Sequence, residues 1–203
     1  MSKTRLRGEC LFEGSTIEKY KKDFPIFVWN HIYRHDAIRG VRFENVTMCE
    51  DMLFNLEVYM KNLRIRCTNS NIYRYTISDN QLTRKRDKNT MLNAINSYEL
   101  LFERAKYYQA ISSDHVLKEG IDRMVAHQMS PYFSRILCAN LTRRDFSKRM
   151  DTLWQKGILP INAEKRTHHI LNFLSSHSSL YPLESCLYNR VFIPLILPRL
   201  SRN

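Results

Sequence analysis

A chain of 203 residues, 43% of them apolar, is long enough for one buried core, with room for an appended helical tail. Its net charge of +12 and pI near 9.6 call for an anionic partner: nucleic acid, anionic lipid or phosphorylated substrates. With 5 Gly and 6 Pro the composition favours helix over a strand-rich barrel; no apolar run reaches the ~20 residues of a membrane span, and the basic start at Met1–Gly8 leads into no signal-peptide core.

The first 24 residues are charged and mixed, with a short helix expected over 15–22, capped by Ser15 or Thr16. Trp29, Ile32 and Tyr33 stand at i, i+3, i+4 and predict a helix over 29–38, stopped by Gly40, followed by a short extended piece at 41–43. Leu53, Leu56 and Met60 line one face of a helix over 51–62 that opens on Glu50 and Asp51. Short strands are expected at 64–68 and 71–77, where Tyr73, Tyr75 and Ile77 alternate with Arg74 and Thr76.

From Asn89 onward the pattern is helical. Met91, Ile95, Tyr98, Leu101, Phe102 and Ala105 mark a long amphipathic helix. A second helix is expected over 116–129, a third from Pro131 to about Leu141, a fourth over 143–155 closed by Gly157 and Pro160, and a fifth over 164–174. A polar linker, 175–179, leads to a tail in which Val191, Phe192, Ile193, Leu195, Ile196 and Leu197 lie among Arg190, Arg199 and Arg202. Pro194 and Pro198 break any continuous helix there. Apolar residues flanked by arginine suit an anionic membrane surface, or a terminal piece packed on the body. The five cysteines are odd in number and lack metal-ligand spacing, so they read as reduced, mostly buried thiols of a cytoplasmic protein. The fold class expected is α+β and mostly helical, with an α+β region at 1–88 and a helical region at 89–203.

The residues most suggestive of chemistry lie between Phe27 and Arg84. At their centre is Cys49-Glu50-Asp51-Met52-Leu53-Phe54-Asn55. Two carboxylates directly before an apolar helical run sit where exposed N–H groups and the helix dipole favour anionic charge. On position alone they are helix-start residues; an ionised carboxylate there also suits a general base. Upstream stand Val28-Trp29-Asn30-His31-Ile32-Tyr33-Arg34-His35-Asp36 and Val41-Arg42-Phe43; downstream stand Ile72-Tyr73-Arg74-Tyr75-Thr76 and Asn80-Gln81-Leu82-Thr83-Arg84. This order resembles the acceptor half of family-two glycosyltransferases, inverting nucleotide-sugar enzymes of the GT-A fold, over about 60 residues. The pattern there runs W-N-K-L-Y-R-R, I-R-F, G-E-D-x-x-F-N, Y-x-Y-R and N-S-L-T-R.

The resemblance implies that Asp51 deprotonates an acceptor hydroxyl and that Glu50 orients it or contacts the acceptor. It implies that Trp29, Tyr33 and Arg34 line the acceptor side, while Arg74, Gln81, Thr83 and Arg84 face the donor diphosphate, a task suited to bidentate arginine. Cys49 departs from the pattern, which often has Gly there. The family's donor-binding half, with its D-x-D motif for manganese or magnesium, has no counterpart before Trp29, and the chain has no D-x-D anywhere. The resemblance therefore implies a fragment or a subunit, inactive alone, that works with a separate donor-binding polypeptide and takes no metal itself. Its product would be a cell-surface polysaccharide, a lipopolysaccharide or a lipid-linked oligosaccharide, built in the cytoplasm or peripherally on the inner face of the cytoplasmic membrane. The other reading is a non-catalytic basic helical protein that binds a partner protein or an anionic membrane surface.

Alternatives within the chain are weaker. Trp29 and Tyr33 at helical spacing suit core packing, and the run Arg84, Lys85, Arg86, Lys88 suits a solvated surface. His31 and His35, at i, i+4, lack a third metal ligand. Adjacent His168 and His169 point to different faces of a helix and receive no role. Basic residues spread over the whole chain without a nucleic-acid-binding motif argue against nucleic acid as the partner.

Overall fold

The computed structural model describes residues 10–12, 27–61, 63, 65–67, 73, 86–162 and 166–190. Six α-helices dominate these residues: α1 (Glu50–Tyr59), α2 (Lys88–Ile111), α3 (His115–Ala139), α4 (Arg143–Gln155), α5 (Arg166–Ser176) and α6 (Tyr181–Leu187). Two three-residue strands, β1 (Cys10–Phe12) and β2 (Ile65–Cys67), pair antiparallel with Leu11 opposite Arg66. The chain is thus mostly helical, as expected; the α+β character is reduced to this one short pair among the described residues. The expected helix at 15–22, the strand at 71–77 apart from Tyr73, and the tail beyond Arg190 lie outside the described residues.

The α2–α3 hairpin is the frame. Met91, Ala94, Ile95, Leu101, Phe102 and Ala105 recur at helical spacing on α2, and all are fully buried. They meet Ile121, Met129, Tyr132 and Ile136 of α3. Asp87 caps α2 by accepting from the Thr90 N–H (2.9 Å), and Asp114 caps α3 by accepting from Val116 and Leu117. Helices α5 and α6 each pack on α3 and on α4, and the same core continues through Phe146, Leu153, Leu171 and Tyr181.

Three expectations are corrected. Residues 29–38 do not form an α-helix: a single 3-10 turn at Val28–Asn30 leads into extended chain and then turns over 35–40. Ile32, which the periodicity placed on a buried face, is 86% exposed. Pro131 does not start a helix but lies inside α3. Proline removes one hydrogen bond from a helix interior, yet Gln128 and Met129 before it and Tyr132 and Phe133 after it are all buried, and that packing carries the helix through. Finally, α6 occupies the segment after the expected linker. Its Tyr181 hydroxyl accepts from the Leu141 N–H (2.7 Å) and donates to the Ile136 carbonyl (3.1 Å), so long-range contacts hold this short helix.

Helix α1 sits between two apolar layers. Met52, Leu53 and Leu56 join the α2–α3 core, while Phe54 and Val58 pack under Val28, Tyr33, Ile38 and Val41. The loop before it is tied to α2 by Met48 N–H to Ser97 Oγ (3.4 Å) and by the Arg104–Glu44 ion pair (3.2 Å). The segment 27–34 lies as a strap across the outer side of α1.

Candidate functional site

Three polar residues of α1 fall on one stripe. Asp51, Asn55 and Tyr59 stand at i, i+4, i+8, and each is met by the strap. The Val28 N–H donates to Asp51 Oδ2 (3.4 Å), the Tyr33 hydroxyl donates to Asn55 Oδ1, and His31 Nε2 pairs with the Tyr59 hydroxyl (2.7 Å). Aromatic rings fill the spaces: Tyr33 stacks on His31 (5.4 Å) and meets Phe54 edge-on (5.6 Å), and Phe54 stacks on Phe43 (4.4 Å).

Asp51 lies in the first turn of α1, as expected, yet its carboxylate reaches across to the strap. The hydrogen bond is long, and burial raises its pKa above the usual carboxylate value, with the Val28 bond opposing. A partly desolvated carboxylate with one weak donor is a better base than a solvated one. The neighbouring charge of Asp51, after burial, helps push the Tyr33 phenol up to about 12, so Tyr33 stays a neutral donor. Asn55 is 1% exposed, and its Nδ2 is buried without a hydrogen-bond partner. Glu50 is half-buried in the same turn.

The residue before the carboxylates is in an uncommon conformation. Cys49 has φ +67° and ψ +8°, the left-handed region that glycine enters freely. Its thiol is buried, and burial raises it to about 12, so it is an inert packing group rather than a nucleophile.

The remaining expected residues divide. Trp29 stacks between Phe27 (5.1 Å) and Tyr73 (5.2 Å), at the edge of the strap nearest Val28. Tyr33 joins Asp51's surroundings through Asn55. Arg34 is exposed, and its carbonyl accepts from Ala37 and Ile38 in the turn that follows. Arg74, Gln81, Thr83 and Arg84 lie outside the described residues. The structure also brings in His31, Asn55 and Tyr59, which the sequence pattern did not assign to the site. The i, i+4, i+8 spacing of Asp51, Asn55 and Tyr59 along this helix was the available signal.

His31 and His35 do not form a helical metal pair, because their segment is not helical and His31 is engaged by Phe27 O (2.9 Å) and Tyr59. No three His, Cys, Asp or Glu side chains among the described residues form a metal-ligating group. His168 is buried and bonds the Asn162 carbonyl (3.0 Å), a structural tie between α5 and the preceding loop.

Two surface cavities lie away from Asp51. One, about 560 Å³, is lined by Lys106, His115, Lys118, Glu119 and Asp122. The other, about 340 Å³, is lined by Leu92, Glu99, Glu103, Asp145 and Arg149. Their carboxylates are already paired: Glu99 takes Arg149 (2.6 Å) and the Tyr132 hydroxyl (2.8 Å), Glu103 takes Lys156, and Asp122 takes Lys106 (3.7 Å). Asp51, by contrast, has a single 3.4 Å donor among the described residues.

His31 makes the strap sensitive to pH. Burial lowers its pKa from 6.5, against the bond to Phe27 O. The unfolded chain then binds the proton first, and stability falls as pH drops from 6.5 toward the folded value. Urea midpoints should be lower at pH 5.5 than at pH 7.5, and His31→Phe should reduce that difference. An unchanged pH difference in the variant would remove His31 as its source.

No family model, curated protein or solved structure matches the chain.

Proposed function

We propose that the Asp51 stripe is the acceptor-activating site of an inverting sugar transfer from a nucleotide-sugar to a cell-surface polysaccharide, lipopolysaccharide or lipid-linked oligosaccharide. The observation that carries this reading is the Asp51 carboxylate itself: partly desolvated, at a helix start, with one long hydrogen bond and a pKa moved upward. The left-handed Cys49 supports it, because the resembling pattern often places Gly immediately before the paired acids, the residue that suits this backbone. Asp51 takes the hydroxyl proton as the acceptor oxygen attacks the anomeric carbon, the bond from that carbon to the donor's diphosphate oxygen breaks, and the nucleoside diphosphate leaves with the electron pair. Tyr33 holds Asn55, and Trp29 with Phe27 and Tyr73 offers an aromatic surface beside the strap.

Donor binding in this reading comes from outside these 203 residues, which carry no D-x-D or glycine-rich phosphate motif. Calorimetric titration of the chain alone with uridine and guanosine diphosphate sugars plus manganese should show no micromolar binding, about −8 kcal/mol. Transfer should appear when a donor-binding polypeptide is added. Micromolar donor binding by the chain alone would overturn the division of labour.

One observation favours a second reading, a non-catalytic helical protein: each of the three residues of the α1 stripe makes one hydrogen bond to the strap, as a structural tie would require. Substitution of Asp51 separates the two.

A further inference from the structure

The apolar side chains left outside the core are unevenly placed. Of the twelve large apolar residues that stand exposed among the described residues, five — Ile170, Phe173, Leu180, Leu183 and Leu187 — fall within eighteen residues of α5, α6 and the turn between them. Both helices pack on α3 and on α4. Their inward residues are His168, Leu171 and Ser175 on α5, and Tyr181 and Ser185 on α6. On each helix the exposed residues therefore belong to the side turned away from α3 and α4, with Phe173 51% and Leu183 61% exposed. Exposed apolar residues gathered in this way mark an interaction surface, whereas single scattered ones are ordinary.

The charge of the same region is one-sided. From Arg166 to Asn203 the sequence has four arginines, Arg166, Arg190, Arg199 and Arg202, and one acid, Glu184. Glu184 does not present its charge freely outward: its Oε1 is buried. Arg190, at the end of α6, is exposed. Neither of the two cavities described above includes a residue of α5 or α6. A second copy would bring like arginines together on a chain already at +12. Apolar side chains with adjacent arginine instead suit the boundary between headgroups and acyl chains of an anionic bilayer. At 11 and 7 residues the two helices can lie in that boundary but not cross it.

We propose that the outward face of α5 and α6, centred on Phe173 and Leu183, docks on anionic lipid bilayers. Phe173 and Leu183 enter the interface, and Arg190 contacts acidic headgroups. This surface is independent of the sugar-transfer reading.

The test is co-sedimentation of the full chain with phosphatidylcholine vesicles, with and without phosphatidylglycerol, at low and high salt. The wild-type chain should bind the phosphatidylglycerol vesicles at low salt and be released at high salt. The Phe173→Ser/Leu183→Ser double variant keeps the full charge, so its binding should fall more than tenfold if the apolar face inserts. Circular dichroism should show unchanged helix content. Arg190→Glu, at an exposed side chain, should also weaken binding to phosphatidylglycerol vesicles and carries the test if the double variant loses helix. Equal binding by a folded double variant, or by Arg190→Glu where the double variant unfolds, would overturn the proposal. So would absence of wild-type binding, or a wild-type dimer that the double variant converts to monomer.

Discussion

Replacing Asp51 with Asn should lower turnover by roughly 100- to 10,000-fold in a reconstituted transfer reaction, the usual range for removal of a general base. The amide keeps the shape of the carboxylate and can still accept from the Val28 N–H. It cannot take up a proton near neutral pH. Donor binding should change little, because Asp51 acts on the acceptor hydroxyl, so the loss should fall on turnover rather than on the Michaelis constant of the donor. Stability supplies the control. The folded pKa of Asp51 is raised, so the folded protein holds its proton more firmly than the unfolded chain does. Its contribution to stability is therefore present below pH 3.8 and is lost as pH rises through the folded value. Once the carboxylate is ionised it carries the cost of its partial burial without that contribution, so Asp51→Asn should not unfold the protein. A variant with near-full turnover would make Asp51 a tie for the strap. A variant that loses activity only because it unfolds would do the same.

The elements that could be read from the sequence are those whose cause is local. On α2, apolar residues recur every three to four positions from Met91 to Ala105, and the Asp87 cap is three residues before the N–H it satisfies. The start of α1 was equally legible, because two acids before an apolar run are stabilised by the free N–H groups of a helix N-terminus. The strap was not. Trp29, Ile32 and Tyr33 have helical spacing, but the groups that fix the strap are 22 to 28 residues away: Asp51, Asn55 and Tyr59. Periodicity reports an apolar face only when that face is buried, and Ile32 is not. Pro131 shows the converse, a strong local signal overridden by tertiary packing. The site was half legible for the same reason. Asp51 announced itself by position, while His31, Asn55 and Tyr59 join it only when the strap closes over α1.

Phe102→Ala should destabilise the fold by about 3–5 kcal/mol, the range for deleting a buried aromatic ring. Phe102 is completely buried at the α2–α3 seam, the largest helix contact in the described residues. Its ring meets Tyr132 edge-on at 5.4 Å and lies 6.2 Å from Tyr98, so the substitution leaves a cavity and removes a favourable aromatic pair. Tyr132 is itself anchored by its hydroxyl bond to Glu99 (2.8 Å), which Arg149 also holds (2.6 Å), so it cannot easily move into the space. Against a total stability of about 5–15 kcal/mol the loss is a large fraction. It corresponds to a fall in Tm of roughly 6–20 °C for a chain of this size. Tyr107→Ala is the comparison. Tyr107 lies on the same helix but is exposed, and its replacement should stay within about 0.5 kcal/mol. Because α1 shares the core cluster with α2, the Phe102 change should also loosen the strap. Hydrogen exchange would show this as faster exchange at Val28, whose N–H bonds Asp51. A loss below about 1 kcal/mol would mean that the seam can collapse around the missing ring. The α2–α3 hairpin would then not be the frame on which the Asp51 stripe is built.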